Sequence, residues 1–194
     1  ALQNHDQVGN RPFGERIHHV INEDRYKVAS AVLLFAPETP LIFMGQEFAA
    51  STPFSFFTDM PTELGRLVTE GRRREFGEFG AFGDEELRDS IPDPQDRSTF
   101  ERSKLRLEER DKHSGVYELY SDLIALRKTE PALRGGDRAR TEAIPLSAEL
   151  LQARRWSADQ ELMLLANFGP ETSTSLEDGW SIALSTQDEK YGGQ

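Results

Sequence analysis

The chain of 194 residues sets 23 basic against 34 acidic side chains, a formal net charge of −11, and has no cysteine. That balance repels phosphate backbones and anionic lipid, so neither nucleic acid nor a membrane surface is an expected partner. The missing thiols exclude a disulfide scaffold, a thiolate metal site and a cysteine nucleophile, while 37% hydrophobic residues with 12 phenylalanines suffice for a core in one large domain or two small ones.

In chain order, residues 1–10 are too polar for a core strand and suit a strand end running into a loop. From Glu23 the pattern turns helical through Tyr26, Ala29, Val32, Leu33 and Ala36, and Pro37 and Pro40 stop it, which predicts a helix over 22–36. The apolar run 40–45, between a proline and a glycine, predicts a strand buried on both faces, and a helix feeding such a strand suggests a parallel sheet. Residues 63–112 are a glycine-punctuated mixed-charge insertion, read as a solvated surface segment with internal ion pairs. Val116, Leu119, Tyr120, Leu123, Ile124 and Leu126 predict a second helix over 115–127. The pair Gly135-Gly136 marks the expected domain boundary. Beyond it, 144–156, 161–168 and 180–184 read as short strands separated by Ser-Ala-Asp, Gly-Pro and Asp-Gly turn signals. No apolar stretch approaches the about 20 residues of a membrane helix. With Ala1 in place of Met and no leader pattern, the expectation is a chain cut at its start and a cytoplasmic protein.

The strongest local feature is Gln3-Asn4-His5-Asp6-Gln7-Val8-Gly9-Asn10-Arg11, where an imidazole and a carboxylate are adjacent and an arginine follows. Such a string is compatible both with an ordinary hydrogen-bonded loop and with groups converging on a ligand. No serine or cysteine nucleophile lies nearby and no His-Glu-x-x-His spacing occurs, so a hydrolase triad and a zinc site lack support.

Gln3-Asn4-His5-Asp6 followed one helix later by Thr39-Pro40-Leu41-Ile42-Phe43-Met44-Gly45-Gln46-Glu47 resembles the alpha-amylase superfamily of glycoside hydrolases. Further strings resemble its maltooligosyltrehalose-hydrolysing branch: Phe56-Phe57-Thr58-Asp59, Glu70-Gly71-Arg72-Arg73-Arg74-Glu75-Phe76, Ile91-Pro92-Asp93-Pro94-Gln95-Asp96 and Thr99-Phe100-Glu101-Arg102-Ser103-Lys104-Leu105. Met60, where that branch is expected to carry His, and Arg106-Leu107, where Asp-Trp is expected, depart from it and bear on specificity. The resemblance implies an α/β fold: the C-terminal part of a (β/α)8 TIM barrel, strands 7 and 8 with their helices over 1–134, then a small C-terminal β-sandwich over 137–194. It also implies an active site at the strand C-termini. By the same resemblance Asp6 is the transition-state stabiliser of a retaining glycosidase. His5, Gln3, Asn10, Arg11, Glu47, Phe54 and Phe57 are then substrate-binding candidates. The nucleophile and general acid would come from strands preceding Ala1, in the missing N-terminal part of the same barrel.

The implied substrate is maltooligosyltrehalose, with release of trehalose. A branching or debranching relative acting on α-glucans, or a non-catalytic carbohydrate-binding fragment, is the alternative. No cofactor and no metal is implied, since carboxylates and water suffice. An open barrel edge leads us to expect weak stability and association for the isolated chain, and no catalysis. Glu47 either lines a sugar subsite or caps the next helix. Phe54, Phe56 and Phe57 either stack on glucose rings or form a core cluster. Arg72-Arg73-Arg74, flanked by Glu70, Glu75 and Glu78, reads as ion-paired surface, and His18 and His19 receive no role.

Overall fold

The computed structural model describes residues 1–77 and 90–193, and contacts divide the chain into two compact units. Part of the charged insertion, with Glu78, Gly80 and Gly83, lies outside the described residues.

The first unit comprises residues 1–2, 21–49 and 110–194, and the expected boundary at Gly135-Gly136 falls inside it. Asn22 starts its first long helix: its side chain accepts the Arg25 N–H at 2.9 Å, and Glu23 and Asp24 place negative charge on the first turn. This helix, Glu23–Phe35, lies one residue inside the predicted span at each end. Tyr26, Ala29, Ala31, Leu33 and Leu34 form its buried stripe, packed on a helix at Ser114–Thr129 that buries Val116, Leu119, Tyr120 and Leu123. The carbonyls at the C-terminal end of Glu23–Phe35 have no intrahelical donors, and two arginines supply them. Arg127 donates to Leu34 O at 2.8 Å and Glu38 O at 2.7 Å, and Arg155 donates to Phe35 O at 2.9 Å. Burial lowers the pKa of both guanidinium groups, and Arg127 adds repulsion at Arg155.

The sheet of this unit is antiparallel in the order β1 (Thr141–Pro145), β2 (Leu150–Trp156), β3 (Glu161–Asn167), with Ala153 opposite Ala143 on one side and Leu164 on the other. Its last turn is the Ser-Ala-Asp signal, where Ser157 N–H donates to Gln160 O at 2.8 Å. Three expectations are corrected. The segment 144–156 is a hairpin, closed by Leu146 N–H on Leu150 O at 2.8 Å. Residues 180–184 form no strand, and Ile182 is 87% exposed. A sandwich needs two packed sheets, and among the described residues there is one of three strands.

Nor is the run 40–45 a strand. Phe43 O accepts the Gln46 N–H at 2.8 Å, the Gln46 side-chain oxygen accepts the Phe43 N–H at 3.3 Å, and Gly45 has φ +82°. Its backbone groups thus close a turn instead of joining a ladder, and Leu41 and Met44 are exposed. A parallel pair needs a second strand beside it running the same way. Among the described residues no parallel strand pair occurs.

The second unit comprises residues 3–20 and 50–109, with helices at His5–Gly9, Ile17–Val20, Thr62–Gly77 and Arg97–Ser103. Few of its buried residues are apolar, chiefly Val8, Ala50, Phe76 and Ile91. Gln3, Arg16, Thr52, Ser55, Thr69, Arg72, Thr99, Ser103 and Glu109 are buried beside them, and hydrogen bonds tie its loops. Gly14, at φ +68°, lets two loops touch: its carbonyl accepts the Phe54 N–H at 2.9 Å, and an added Cβ would sit 2.5 Å from the Phe54 and Ser55 backbone.

Candidate functional site

The string from Gln3 to Arg11 folds as the entry to a short helix instead of a strand end. Asn4 is extended at φ −144° and caps that helix by accepting the Gln7 N–H at 2.9 Å. His5 and Asp6 therefore occupy its first turn. His5 Nε2 and Asp6 Oδ1 are 3.1 Å apart, with side chains 71% and 69% exposed, so the pair is presented to solvent. In this arrangement the carboxylate can accept from hydroxyls or oppose a developing positive charge, and the imidazole can donate or accept.

The other candidates serve the unit in different ways. Gln3 is buried, and its side-chain oxygen accepts the Ile17 N–H at 2.9 Å, while its Nε2 is enclosed without a partner among the described residues. Asn10 ends the helix in the open, its N–H donating to Asp6 O at 3.0 Å. Arg11 curls back on its own loop, Nη1 donating to Glu15 O at 3.1 Å. Phe54 and Phe57 meet edge to face with ring centroids 5.8 Å apart, and Phe57 continues to Phe100 at 5.1 Å. The candidates brought together are thus His5 with Asp6, and Phe54 with Phe57. Glu47 belongs to the first unit, half-buried in a 3-10 turn at Gln46–Phe48. Met60 and Arg106-Leu107, the departures from the expected motif, are exposed.

One arginine of the Arg72-Arg73-Arg74 triplet is not surface. Arg72 is 9% exposed, donates from Nη2 to Gly9 O at 2.7 Å and Arg11 O at 2.9 Å, and lies over the rings of Phe56 and Phe76 at 5.0 and 4.9 Å. It fastens the end of the candidate string to the helix Thr62–Gly77, and burial lowers its pKa. Its neighbours in sequence, Glu70 and Glu75, masked this role; the expected ion pairing holds instead for Arg66 with Glu63 and Glu70. A similar clamp, Arg16 Nε on Thr52 O at 2.7 Å, was also not legible. His18 and His19, edge to face at 4.6 Å, both reach Ala50 O, at 2.8 and 3.1 Å. Because His19 Nδ1 accepts the Arg16 N–H at 3.2 Å, the His19 proton sits on Nε2.

Among the described residues no cluster of three or more His, Asp or Glu side chains is arranged to hold a metal ion, and no helix is long and apolar enough to cross a membrane.

No protein-family model matches the chain. It is 42% identical over 179 residues to a malto-oligosyltrehalose trehalohydrolase of Deinococcus radiodurans, covering 91% of this chain and 29% of the relative. A protein of the same name from Brevibacterium helvolum is 43% identical over 202 residues, covering 94% of this chain and 33% of the relative. A crystal structure from Salmonella typhimurium, provisionally described as an alpha amylase, aligns at TM-score 0.74 with 32% identity, covering 89% of this chain and 30% of that one. A trehalulose synthase structure, at 22% identity and TM-score 0.54, shares the fold over 92% of this chain. The chain thus spans about a third or less of the length of these relatives.

Proposed function

We propose that this chain, a homologue of the malto-oligosyltrehalose trehalohydrolases, is the C-terminal part of an α-glucan hydrolase. The parent cleaves the α-1,4 bond next to the terminal trehalose of maltooligosyltrehalose and releases trehalose in the cytoplasm. The observation that carries the reading is the exposed His5–Asp6 pair on a capped first helical turn, in a segment whose relatives bear that name.

In this reading residues 1–134 belong to the C-terminal part of the parent's barrel, and 137–194 form the appended β domain. Retaining hydrolysis needs a nucleophile and a general acid/base about 5 to 5.5 Å apart, and both come from the rest of the parent. Asp6 is the third carboxylate. Its fixed negative charge opposes the positive charge that grows on the sugar ring as the bond breaks, an electrostatic effect larger in the transition state than in the bound substrate. His5 bonds hydroxyls of that sugar. Asn10 and Arg11 follow the last turn of the short helix His5–Gly9 and, with Gln3 ahead of its cap, add polar contacts to the substrate, Phe54 and Phe57 offer ring faces to glucose, and Glu47 accepts from sugar hydroxyls.

In the full-length protein, maltooligosyltrehalose should yield free trehalose, and Asp6→Asn should lower kcat by about a hundredfold or more with the fold intact. Near wild-type turnover in that variant removes Asp6 from the mechanism. Transfer products or cleaved branch points without trehalose would favour a branching or debranching relative.

A further inference from the structure

The turn that carries Glu47 is held more firmly than a surface turn requires. Gly45 at φ +82° and Ala49 at φ +48° bracket it, and Ala49 is the one non-glycine residue with positive φ among the described residues. A left-handed alanine costs about 1–2 kcal/mol and persists only where its surroundings over-determine it. Those surroundings are visible. Gln46 and Phe48 are fully buried on either side of Glu47, and the His113 Nδ1 atom meets Phe48 O at 2.9 Å. Glu47, half-buried between them, makes no hydrogen bond or ion pair among the described residues, so it caps no helix there.

The bonds around Gln46 run in one determined direction. Ser30 Oγ donates its proton to Tyr26 O at 2.8 Å, so at the Ser30–Tyr120 contact, also 2.8 Å, the Tyr120 hydroxyl must be the donor. That hydroxyl in turn accepts from Gln46 Nε2 at 2.8 Å, and the Gln46 side-chain oxygen accepts from Phe43 N–H. Flipping the Gln46 amide would set an N–H2 group against the Phe43 N–H, so one orientation is selected. Tyr26 OH completes the clamp by donating to Gln46 O at 2.5 Å. The Tyr120 pKa is raised, by burial first, opposed by its hydrogen bonds and reinforced by the nearby negative charge of Glu47.

We infer that Tyr120 is a positioning residue: through the Gln46 side chain it fixes the strained turn and aims the Glu47 carboxylate at a sugar hydroxyl. The inference rests on the proposed α-glucan site and adds to it a residue remote from substrate.

The test is a double-mutant cycle in the full-length protein, reading kcat and KM on maltooligosyltrehalose for Tyr120→Phe, Glu47→Gln and the pair. Tyr120→Phe should lose about tenfold in kcat/KM through misaimed contacts, and Glu47→Gln at least as much. The double variant should be no worse than Glu47→Gln alone, because the carboxylate that Tyr120 positions is then gone. An undiminished Tyr120→Phe loss in the Glu47→Gln background, or wild-type kinetics in Tyr120→Phe, overturns the inference. Should Tyr120→Phe fail to fold, Ser30→Ala removes the acceptor of the Tyr120 proton with the ring still packed, and its loss must vanish in the same way. Tyr191→Phe, which removes a buried hydroxyl bound to Asp122 at 2.6 Å, should lower the melting temperature without changing kcat/KM. If the wild-type protein releases no trehalose, the functional reading fails separately. The cycle is then read as calorimetric affinity for maltopentaose, where additive losses overturn the positioning role.

Discussion

The two units of this chain are stabilised by different physics. The first buries Leu34, Phe48, Leu119, Tyr120 and Leu133 between two helices and a sheet, so its stability scales with apolar area removed from water. The second buries Arg16, Arg72, Thr99, Ser103 and Glu109 with few aliphatic neighbours, and its loops are joined by directed bonds such as Arg72 to Gly9 O and Ser51 Oγ to Glu109 at 2.6 Å. Area tolerates small displacements, but a buried hydrogen bond is lost over a few tenths of an ångström. A unit built on such bonds holds a few backbone segments to fixed positions, which suits the one that presents His5 and Asp6.

That contrast can be broken at several points. The largest effect should come from Leu119→Ala, which empties a fully buried site in the first unit and should cost about 3 kcal/mol. Hydrogen exchange should report the loss across residues 21–49 and 110–194 while the second unit keeps its protection. The converse is Arg72→Ala, which leaves the Gly9 and Arg11 carbonyls without their donor and should cost about 2 kcal/mol. Exchange should rise in residues 3–20 and 50–109 alone, and Arg72→Lys should recover little because one ammonium cannot reproduce the planar fork. Equal exchange in both units for either variant would end the distinction. Arg66→Ala, which removes only exposed pairs with Glu63 and Glu70, should shift stability by less than about 0.5 kcal/mol, measured by urea titration.

The smallest effect is a pH dependence in the first unit. Lys190 and Tyr191 bond Asp122 and hold its carboxyl below the ordinary carboxylate range. A lowered folded pKa gives a contribution that is complete above the unfolded value and is lost as pH falls through the folded one. The melting temperature of wild type should therefore drop on acidification more than that of Asp122→Asn, and parallel pH curves would show the clip to be idle.

What the sequence revealed follows from the range of the interactions involved. The helices Glu23–Phe35 and Ser114–Thr129 were legible because their apolar stripes are local in sequence, and the Ser-Ala-Asp turn was legible for the same reason. The run 40–45 was misread because four apolar residues between proline and glycine do not by themselves choose between a strand and a turn. What decided it was the Gln46 side chain bonding back to Phe43. The candidate string was found by its residue types, but its helical conformation depended on Asn4 acting as a cap. Arg72 was beyond reach: its partners are carbonyls far away in sequence, and every residue carries a carbonyl.

The paired imidazoles have a consequence for measurement. With Arg16 N–H on its Nδ1, the neutral His19 ring is confined to one tautomer. Nitrogen-15 chemical shifts separate the two tautomers. A single labelled histidine thus becomes a native spectroscopic gauge of whether the Arg16–Ala50 corner of the second unit is intact, readable during unfolding without any attached dye.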